Sequence, residues 1–306
     1  MTGPTVCGPR NLPGGPDPAP AGDILVLDGG AFTTVQDLPG RVGYWHVGVP
    51  PSGPMDDLSH RLANLVVGNP ATAAALELTG SGPTLRFTAP AVVAIVGAAM
   101  PMTVAGVPAA AGTPVVVSAG AVVAIGAVTG PGLRASLAVR GGIADTPYLA
   151  SRSTFTLGGL GANGGRVLRS PDVLRVGPAA GGARIPTALA PGVAPVLGSA
   201  WEIGVLVGPH TAPDFLTTNG LAELFRAEWV VHHNSARTGV RLVGPRLEWA
   251  RADGGEAGLH PSNIHDTGYA IGAVDMTGDM PVILGPDGPS LGGFVCPAVV
   301  ATAERW

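Results

Sequence analysis

Short apolar runs separated by Gly and Pro dominate the hydrophobic pattern of this chain. The stretch 88–133 contains no charged residue, yet glycines and prolines divide it into pieces such as "AVVAIVG" (91–97) and "AVVAIGAV" (121–128). Runs of this kind, bounded by turn residues, are typical of buried strands. A membrane-spanning helix instead needs about 20 uninterrupted apolar residues. We therefore predict strands, and no membrane span, in this stretch.

Two segments carry a helical pattern instead. In 54–68 the apolar residues recur at helical spacing, Pro54 lies in the first turn and Gly68 follows the last periodic residue, as in capped helices. The segment 213–228 is similar but is interrupted by Gly220. Many strand-like runs with only two helices do not give the alternation of a βαβ fold. The sequence therefore predicts a mainly β protein with a few short helices.

The order of these runs predicts two β domains. A Pro/Gly/Ala stretch at 177–200 reads as a linker inside the chain. It divides an N-terminal β domain at 23–185 from a C-terminal β domain at 196–306. Residues 1–22 are rich in Pro and Gly and lack the apolar core of a signal peptide, so we expect a disordered leader there.

Composition excludes several classes of function. Only 12% of the 306 residues are charged and the net charge is −4, so nucleic acid is not an expected partner. All 17 cationic residues are Arg and the chain has no Lys, which excludes a Walker A lysine, a Schiff base, a Ser-Ser-Lys amidase centre and biotin attachment to this chain. Cys7 and Cys296 are the two cysteines, and we expect no disulfide and a reducing, cytoplasmic compartment.

Two glycine-rich motifs match the residue pattern of known signatures, but their sequence context does not fit the structure that each signature requires. "GLGANG" (159–164) fits a dinucleotide-binding pattern, but a strand-like segment follows it where that fold requires a helix. "GPSLG" (288–292) fits a nucleophile elbow, but no His follows Ser290 to complete a triad in the usual chain order. We interpret both as tight loops, the second of which brings backbone N–H groups close to a ligand.

The stretch "HPSNIHD" (260–266) concentrates polar chemistry, as does "VVHHNSARTGVRL" (230–242). Together they offer histidines and an aspartate for zinc, but their spacing matches no common zinc pattern, and we predict no metal site. A polar pocket in which Arg237 binds an anion or a carbonyl is the stronger interpretation. A solvated turn remains the alternative for Arg237.

A third polar stretch is the loop 35–57, before the first predicted helix. Its polar residues stand among glycines, which suggests a ligand surface, although capping and turn formation explain several of them equally well. The residues concerned are Gln36, Asp37, Arg41, His46 and Ser52.

Three longer stretches of the chain resemble a known protein family. They are "SRSTFTLGGLG" (151–161), "NSARTGVRLVGP" (234–245) and "HPSNIHDTGYAIGAVDMTGDMPVILGPDGPSLGGF" (260–294). The family they resemble is the KipA, or allophanate hydrolase subunit 2, family of biotin-dependent carboxyltransferase domains. The resemblance covers about residues 23–306. Within that family, the C-terminal third most resembles the carboxyltransferase part of urea carboxylase.

This resemblance implies two β domains of cyclophilin-like barrel character and a partner, the subunit-1 (KipI-like) half, with the active site between the two halves. Biotin carboxylase and the biotin carrier would be other chains or domains. Carboxybiotin would be delivered by a partner, and ATP would be used by a partner subunit. The substrate would be a small neutral molecule.

The chemistry of carboxyl transfer to urea suggests roles for individual residues. Asn263 offers one donor and one acceptor, which complement urea, and His260 or His265 would take the proton while Asp266 orients the imidazole. Further candidates for holding the substrate carboxylate or an oxyanion are Arg237, Asn234, Ser290, Gly292 and Gly293. Candidates for a partner or biotin surface are Gln36, Asp37, Arg41, Ser52 and Met55.

Three alternatives stay open from the sequence. The substrate could be guanidine or 5-oxoproline, handled by the same machinery. The chain could also be a KipA-like regulator that binds a KipI-like protein without catalysis. A pure binding protein has no need for His260, Asn263, His265 and Asp266 to meet in one cavity, so their placement discriminates between these readings.

Overall fold

The computed structural model describes residues 22–179 and 186–302. Almost all of the predicted leader, residues 1–21, lies outside the described residues, as do Cys7 and residues 180–185 of the predicted linker. Gly22, the last residue of the predicted leader, opens the first strand. The predicted domain boundaries stay predictions.

Antiparallel strands are the main regular secondary structure of the described chain. In chain order the strands are β1 (Gly22–Asp28), β2 (Phe32–Gln36), β3 (Ala75–Thr79), β4 (Thr84–Phe87), β5 (Ala91–Gly97), β6 (Met102–Val104), β7 (Val107–Ala109), β8 (Val115–Val117), β9 (Val122–Ile125), β10 (Arg134–Val139), β11 (Val173–Val176), β12 (Val205–Val207), β13 (Val230–Val231), β14 (Gly239–Val243), β15 (Asn263–Gly268), β16 (Ala273–Thr277), β17 (Met280–Leu284), β18 (Leu291–Phe294) and β19 (Ala298–Val300). The α-helices are α1 (Asp57–Val66), α2 (Ala162–Gly165) and α3 (Thr218–Arg226), and short 3-10 turns lie at Trp45–Val47 and Gly255–Ala257. The prediction of a mainly β protein with few helices is confirmed.

Two sheets form the first half of the fold. Their strand orders are β11-β1-β4-β9-β6-β7 and β2-β3-β10-β5-β8. The faces that meet carry apolar side chains from both sheets, including Ile24, Leu85, Leu76 and Leu137, which are all fully buried. Alternate residues of the second sheet point outward, where α1 covers the alanines and valines of β3, β5 and β10.

A third sheet and a two-stranded ribbon form the second half. The sheet has the order β12-β19-β16-β17-β14-β13, and the ribbon pairs β15 with β18. One face of the sheet packs on Leu216 and on Leu224 of α3. The opposite face packs on Tyr269, which follows β15 in the chain. The ribbon therefore touches both clusters, because Ile264 of β15 packs with the Leu216 cluster.

Both predicted helices form, with different boundaries. Helix α1 begins after Asp56, whose carboxylate accepts a hydrogen bond from the Ser59 N–H at 2.8 Å. Only the second half of 213–228 is helical, and Gly220 lies inside α3 rather than interrupting it. A Cβ at Gly220 would lie 2.3 Å from the Glu248 carbonyl oxygen, so glycine permits the close approach of α3 to the chain at Glu248.

The uncharged stretch 88–133 forms strands β5 to β9, as predicted. Across residues 22–179 and 186–302, no helix is both long and apolar enough to cross a membrane.

Candidate functional site

A buried ion cluster joins the two halves of the fold. Arg237, in the turn before β14, places Nη1 at 2.7 Å from Glu77 Oε1 and Nε at 2.8 Å from Asp287 Oδ2. Its Nη2 donates to the Gly53 carbonyl at 2.7 Å. Burial alone would lower the pKa of Arg237, but the two carboxylates outweigh burial and raise it. The guanidinium therefore stays charged and fixes the turn to β3.

The role of Arg237 as an anion or carbonyl clamp stays a prediction, and the contacts within the chain do not favour it. Its side chain is only 5% exposed, and its donors are committed to Glu77, Asp287 and Gly53. The sequence could not show this, because Glu77 lies 160 positions away from Arg237. The signals that were missed are a lone carboxylate in the apolar strand "ALELT" and the aspartate of "GPDG".

The loop 37–56 is anchored by its polar residues. Arg41 is fully buried and donates to the carbonyls of Tyr148 (3.3 Å) and Ser153 (2.6 Å). The Asp37 carboxylate accepts hydrogen bonds from the hydroxyls of Ser151 and Ser153, at 2.5 and 2.7 Å. Burial lowers the pKa of Arg41, although Asp37 opposes this effect. These contacts hold the start of the loop on the first half of the fold.

The interpretation of these residues as a partner or biotin surface stays a prediction, and the burial of four of the five side chains does not favour it. Gln36 and Arg41 are fully buried, and Asp37 and Ser52 are nearly so. Buried side chains in the interior of the fold are not available to another molecule. Met55 is half-buried, and its N–H donates to Glu77 Oε2 at 2.5 Å.

The far end of the same loop reaches the second half of the fold. The Ser52 N–H donates to the Pro286 carbonyl at 3.0 Å. The Trp45 indole N–H donates to the Gly288 carbonyl at 3.3 Å. The loop 37–56 thus lies directly against the glycine-rich loop that leads into β18.

The glycines of that loop are required by close packing. A Cβ at Gly292 would lie 2.5 Å from the Tyr269 ring, and a Cβ at Gly293 would lie 3.0 Å from the Ile264 carbonyl oxygen. Ser290 is half-buried, and its carbonyl accepts the Tyr269 N–H. The role of Ser290, Gly292 and Gly293 in binding a substrate stays a prediction.

Strand β15 carries the "HPSNIHD" polar residues beside this loop. It pairs with β18 at Asn263–Phe294 and at Thr267–Gly292, with a β-bulge between the two pairs. Bulges redirect side chains and are frequent next to functional sites. His265 and Asp266 lie within the bulge and are exposed.

His260 and Asn263 are joined in one turn. The Asn263 side-chain oxygen accepts the His260 N–H at 3.1 Å, and His260 Nδ1 lies 2.9 Å from the Ser262 hydroxyl. His260 Nε2 lies 3.5 Å from Asp279 Oδ1. The carboxylate that faces the His260 imidazole is therefore Asp279 and not Asp266. The role of Asp266 in orienting an imidazole stays a prediction.

The side chains of His265 and Asp266 have no hydrogen bond or ion pair in the described parts of the chain. The hydrogen bonds of Asn234 stay within its own turn, where its N–H donates to His232 Nδ1 and its carbonyl accepts from Arg241. His260 and Asn263 thus lie in one turn. His265 lies two residues further along β15. In the described chain, no hydrogen bond joins Asn234 to this strand.

Arg251 is a residue of this site that the sequence did not indicate. Its guanidinium donates to the carbonyls of Pro261 and Asn263, each at 2.5 Å, and lies over the Phe215 ring at 4.7 Å. Burial lowers the pKa of Arg251. It fixes the backbone on both sides of Ser262, which holds the "HPSN" turn in place.

In residues 22–179 and 186–302, no three His, Cys, Asp or Glu side chains are grouped to hold a metal ion.

The fold and this polar ribbon are those of a carboxyltransferase domain. The family model described as carboxyltransferase domain, subdomain A and B, matches residues 47–306, and the chain belongs to that family. This confirms the resemblance drawn from the motifs.

Three comparisons show where the chain stands within this family. It is 50% identical over 292 residues to urea amidolyase of Lachancea kluyveri, covering 92% of this chain and 16% of that protein. It is 30% identical over 286 residues to the C subunit of 5-oxoprolinase from Escherichia coli, covering 92% of this chain and 86% of that protein. The crystal structure of Kluyveromyces lactis urea carboxylase superimposes with a TM-score of 0.89 at 48% identity, covering 95% of this chain and 26% of that one. The chain therefore spans only about a sixth of the amidolyase.

Proposed function

We propose that this chain is one part of a biotin-dependent carboxyltransferase that moves a carboxyl group from carboxybiotin to urea or a urea-like small amide. The observation that carries the proposal is the difference in identity between relatives. The chain is 50% identical to a urea amidolyase and 30% identical to a 5-oxoprolinase subunit, over similar lengths of this chain.

Substrate recognition is assigned to Asn263. Its side-chain oxygen already accepts the His260 N–H, so the amide donor Nδ2 is the group left for a ligand. The urea carbonyl is an acceptor, and a hydrogen bond from Nδ2 would orient it. Arg251 supports this geometry, because it holds the Asn263 carbonyl from the other side.

Proton removal from the urea nitrogen is assigned to His265. Both ring nitrogens of His260 already face polar groups, Ser262 and Asp279. The exposed His265 lies on the same strand as Asn263 and has no competing hydrogen-bond partner in the described chain. A general base needs a free nitrogen lone pair within reach of the substrate, which favours His265 over His260.

Carboxybiotin would supply the carboxyl group, and it would come from another chain or domain, because these 306 residues include no lysine to carry biotin. With Arg237 committed to Glu77 and Asp287, the remaining polar groups near β18 are those of the loop around Ser290. The half-buried Ser290 hydroxyl and the loop N–H groups are proposed to stabilise developing negative charge.

Assembly with a subunit-1 (KipI-like) partner is proposed to involve β12, at the edge of the third sheet. Trp201 and Ile203 precede this strand, and Leu206 and Val207 within it are each 63% exposed. An exposed apolar edge strand is a template for pairing with another polypeptide. The partner is therefore proposed to add a strand beside β12.

The test is a reconstituted reaction. The chain is combined with a subunit-1 protein, biotin carboxylase and biotin carrier, and consumption of carboxybiotin is measured with urea, guanidine and 5-oxoproline. We expect the highest kcat/KM with urea. A Leu206→Asp variant should lose partner binding while keeping its fold. Carboxyl transfer to none of the three substrates by the assembled complex would refute the proposal.

A second candidate is the C subunit of a 5-oxoprolinase. The observation that favours it is the 30% identity to the E. coli subunit over 286 residues, which is 92% of this chain. A second assay decides between the two, since ATP-dependent ring opening of 5-oxoproline by the chain and its partner, without biotin carboxylase and biotin carrier, would select this candidate.

A further inference from the structure

The first half of the fold contains a cavity of about 520 Å³, away from the β15–β18 ribbon. It lies between the segment 141–146 and strand β11, and Arg152, Arg175 and Asn163 contribute polar side chains to its lining. The exposed Val173 and Pro178 contribute apolar surface. Its volume falls in the range of about 300–1,000 Å³ that is typical of small-molecule sites.

Two guanidiniums at this cavity lack carboxylate partners in the described chain. Arg152 is half-buried and donates through Nε to the Asp145 carbonyl at 2.7 Å, which leaves its two terminal nitrogens free of hydrogen bonds to described residues. Arg175 forms no ion pair or side-chain hydrogen bond with a described residue, although Asp23 lies opposite it in the β1–β11 pair. Arginines at a concave site usually find an anionic partner.

The lining of this cavity carries one carboxylate, that of Asp145, and two guanidiniums. Asp145 accepts the Thr146 N–H through Oδ1 and the Asn163 N–H through Oδ2, each at 2.7 Å. Its charge offsets one of the two arginine charges and leaves the other without a counter-charge in the lining. The cavity is therefore locally positive in a chain whose net charge is −4.

We propose that this cavity binds a small organic carboxylate, held between the guanidiniums of Arg152 and Arg175. A carboxylate matches the planar fork of a guanidinium with two parallel hydrogen bonds. A short hydrocarbon body would lie against Val173 and Pro178, a contact that an inorganic anion cannot make. This site is separate from the proposed substrate strand and does not depend on the proposed function.

The test is a titration of the chain alone with butyrate, succinate, inorganic phosphate and the neutral analogue butyramide, followed by saturation-transfer NMR and calorimetry. We expect butyrate or succinate to bind and butyramide to bind at least about tenfold more weakly. Arg152→Gln and Arg175→Gln should each weaken binding about tenfold. Arg86→Gln, which removes an exposed arginine of β4 outside the cavity, should leave it unchanged.

Arg152→Gln also removes the hydrogen bond from Arg152 to the Asp145 carbonyl. Arg152→Lys, which keeps the positive charge, and Arg175→Gln, at an exposed position, are therefore expected to keep the fold. Circular dichroism checks that each variant is folded. Absence of butyrate and succinate binding to the folded wild-type chain would overturn the proposal. So would binding that Arg175→Gln leaves intact. Phosphate binding as tightly as succinate would overturn the assignment to an organic carboxylate.

Discussion

The two histidines of "HPSNIHD" differ in how many of their ring nitrogens are occupied. His260 faces Ser262 and Asp279 and packs edge-on against Trp249, with ring centroids 5.6 Å apart. His265 lies exposed in the bulge of β15. The contacts of His260 therefore hold a turn, whereas His265 keeps its ring nitrogens open to a ligand.

His265→Ala should therefore lower kcat of the reconstituted enzyme by about 10² to 10⁴-fold, the usual contribution of a general base. Added imidazole should restore part of the rate. His233→Ala, which removes an exposed histidine of the β13–β14 turn, serves as the control. A His265→Ala enzyme with unchanged kcat would exclude this histidine as the base.

Asp275 is a second residue with a testable property. It is 5% exposed on β16, and its carboxylate accepts a long hydrogen bond of 3.4 Å from the Thr277 hydroxyl. Burial raises its pKa to about 6, while Thr277 and Arg241 pull in the opposite direction. In the unfolded chain an aspartate has a pKa of about 3.9. Between about pH 4 and about pH 6 Asp275 is therefore protonated more often in the folded protein than in the unfolded chain.

The free energy of unfolding should consequently fall as pH rises from about 4 to about 6, because the folded state then has to ionise a buried carboxylate. Asp275→Asn should remove this slope and stabilise the protein at pH 8 by about 1–3 kcal/mol. Urea denaturation at several pH values measures both effects, and Asp214→Asn, at an exposed position, is the control. An equal pH slope in wild type and Asp275→Asn would contradict this account.

At the scale of elements, the β15–β18 ribbon depends on close contact between Gly292 and Tyr269. The Tyr269 hydroxyl donates to the Phe294 carbonyl at 2.7 Å and accepts the Phe294 N–H at 2.9 Å. The ring therefore spans β18 and leaves no room for a side chain at position 292.

Gly292→Ala should destabilise the protein by about 1–3 kcal/mol, as overpacking does, because the tyrosine ring must move and its two hydrogen bonds weaken. Gly268→Ala is a matched control on β15, where a Cβ meets no atom within 4 Å. Thermal unfolding compares the two variants. Equal melting temperatures would show that the ribbon tolerates a shifted Tyr269.

The elements also show how far sequence patterns reach. Helix α1 and strands β5 to β9 follow from local signals, the helical spacing of apolar residues and the Gly/Pro boundaries. The strands form as predicted, and the helix forms over the shorter range Asp57–Val66. Helix α3 is shorter than its pattern, because the chain before Thr217 turns instead. The sequence identifies the "HPSN" turn as polar chemistry, but the geometry of the turn depends on Arg251 and Asp279, which the spacing does not reveal.

At the scale of the whole molecule, the Arg237 cluster decides how the two halves meet. It joins Glu77 on β3 with the turn before β14 and the loop at Asp287. No local pattern encodes such a contact, because its members are far apart in the chain and each looks like an ordinary charged residue. This is why the sequence alone suggested a ligand contact for Arg237, whereas the structure shows its side chain bound to Glu77 and Asp287.

Arg237→Met should lower the free energy of unfolding by about 3–5 kcal/mol, since it leaves two buried carboxylates without this counter-charge. Arg246→Met is the matched control, because Arg246 pairs with Asp279 through a side chain that is 75% exposed and exposed pairs contribute little. Guanidinium chloride unfolding provides the comparison. A loss below about 1 kcal/mol for Arg237→Met would show that the halves are joined mainly by other contacts.

The central claim is that Asn263 recognises urea, and substrate preference tests it most directly. The measurement is made on the reconstituted enzyme carrying Asn263→Asp. It is the ratio of kcat/KM for guanidine to kcat/KM for urea. An aspartate oxygen can still accept the His260 N–H and keep the turn, while the second oxygen replaces a donor with a negative charge that favours guanidinium. We expect the ratio to rise by more than about tenfold, and Asn234→Asp to leave it unchanged. An unchanged ratio in a folded, partner-bound Asn263→Asp enzyme would contradict the account.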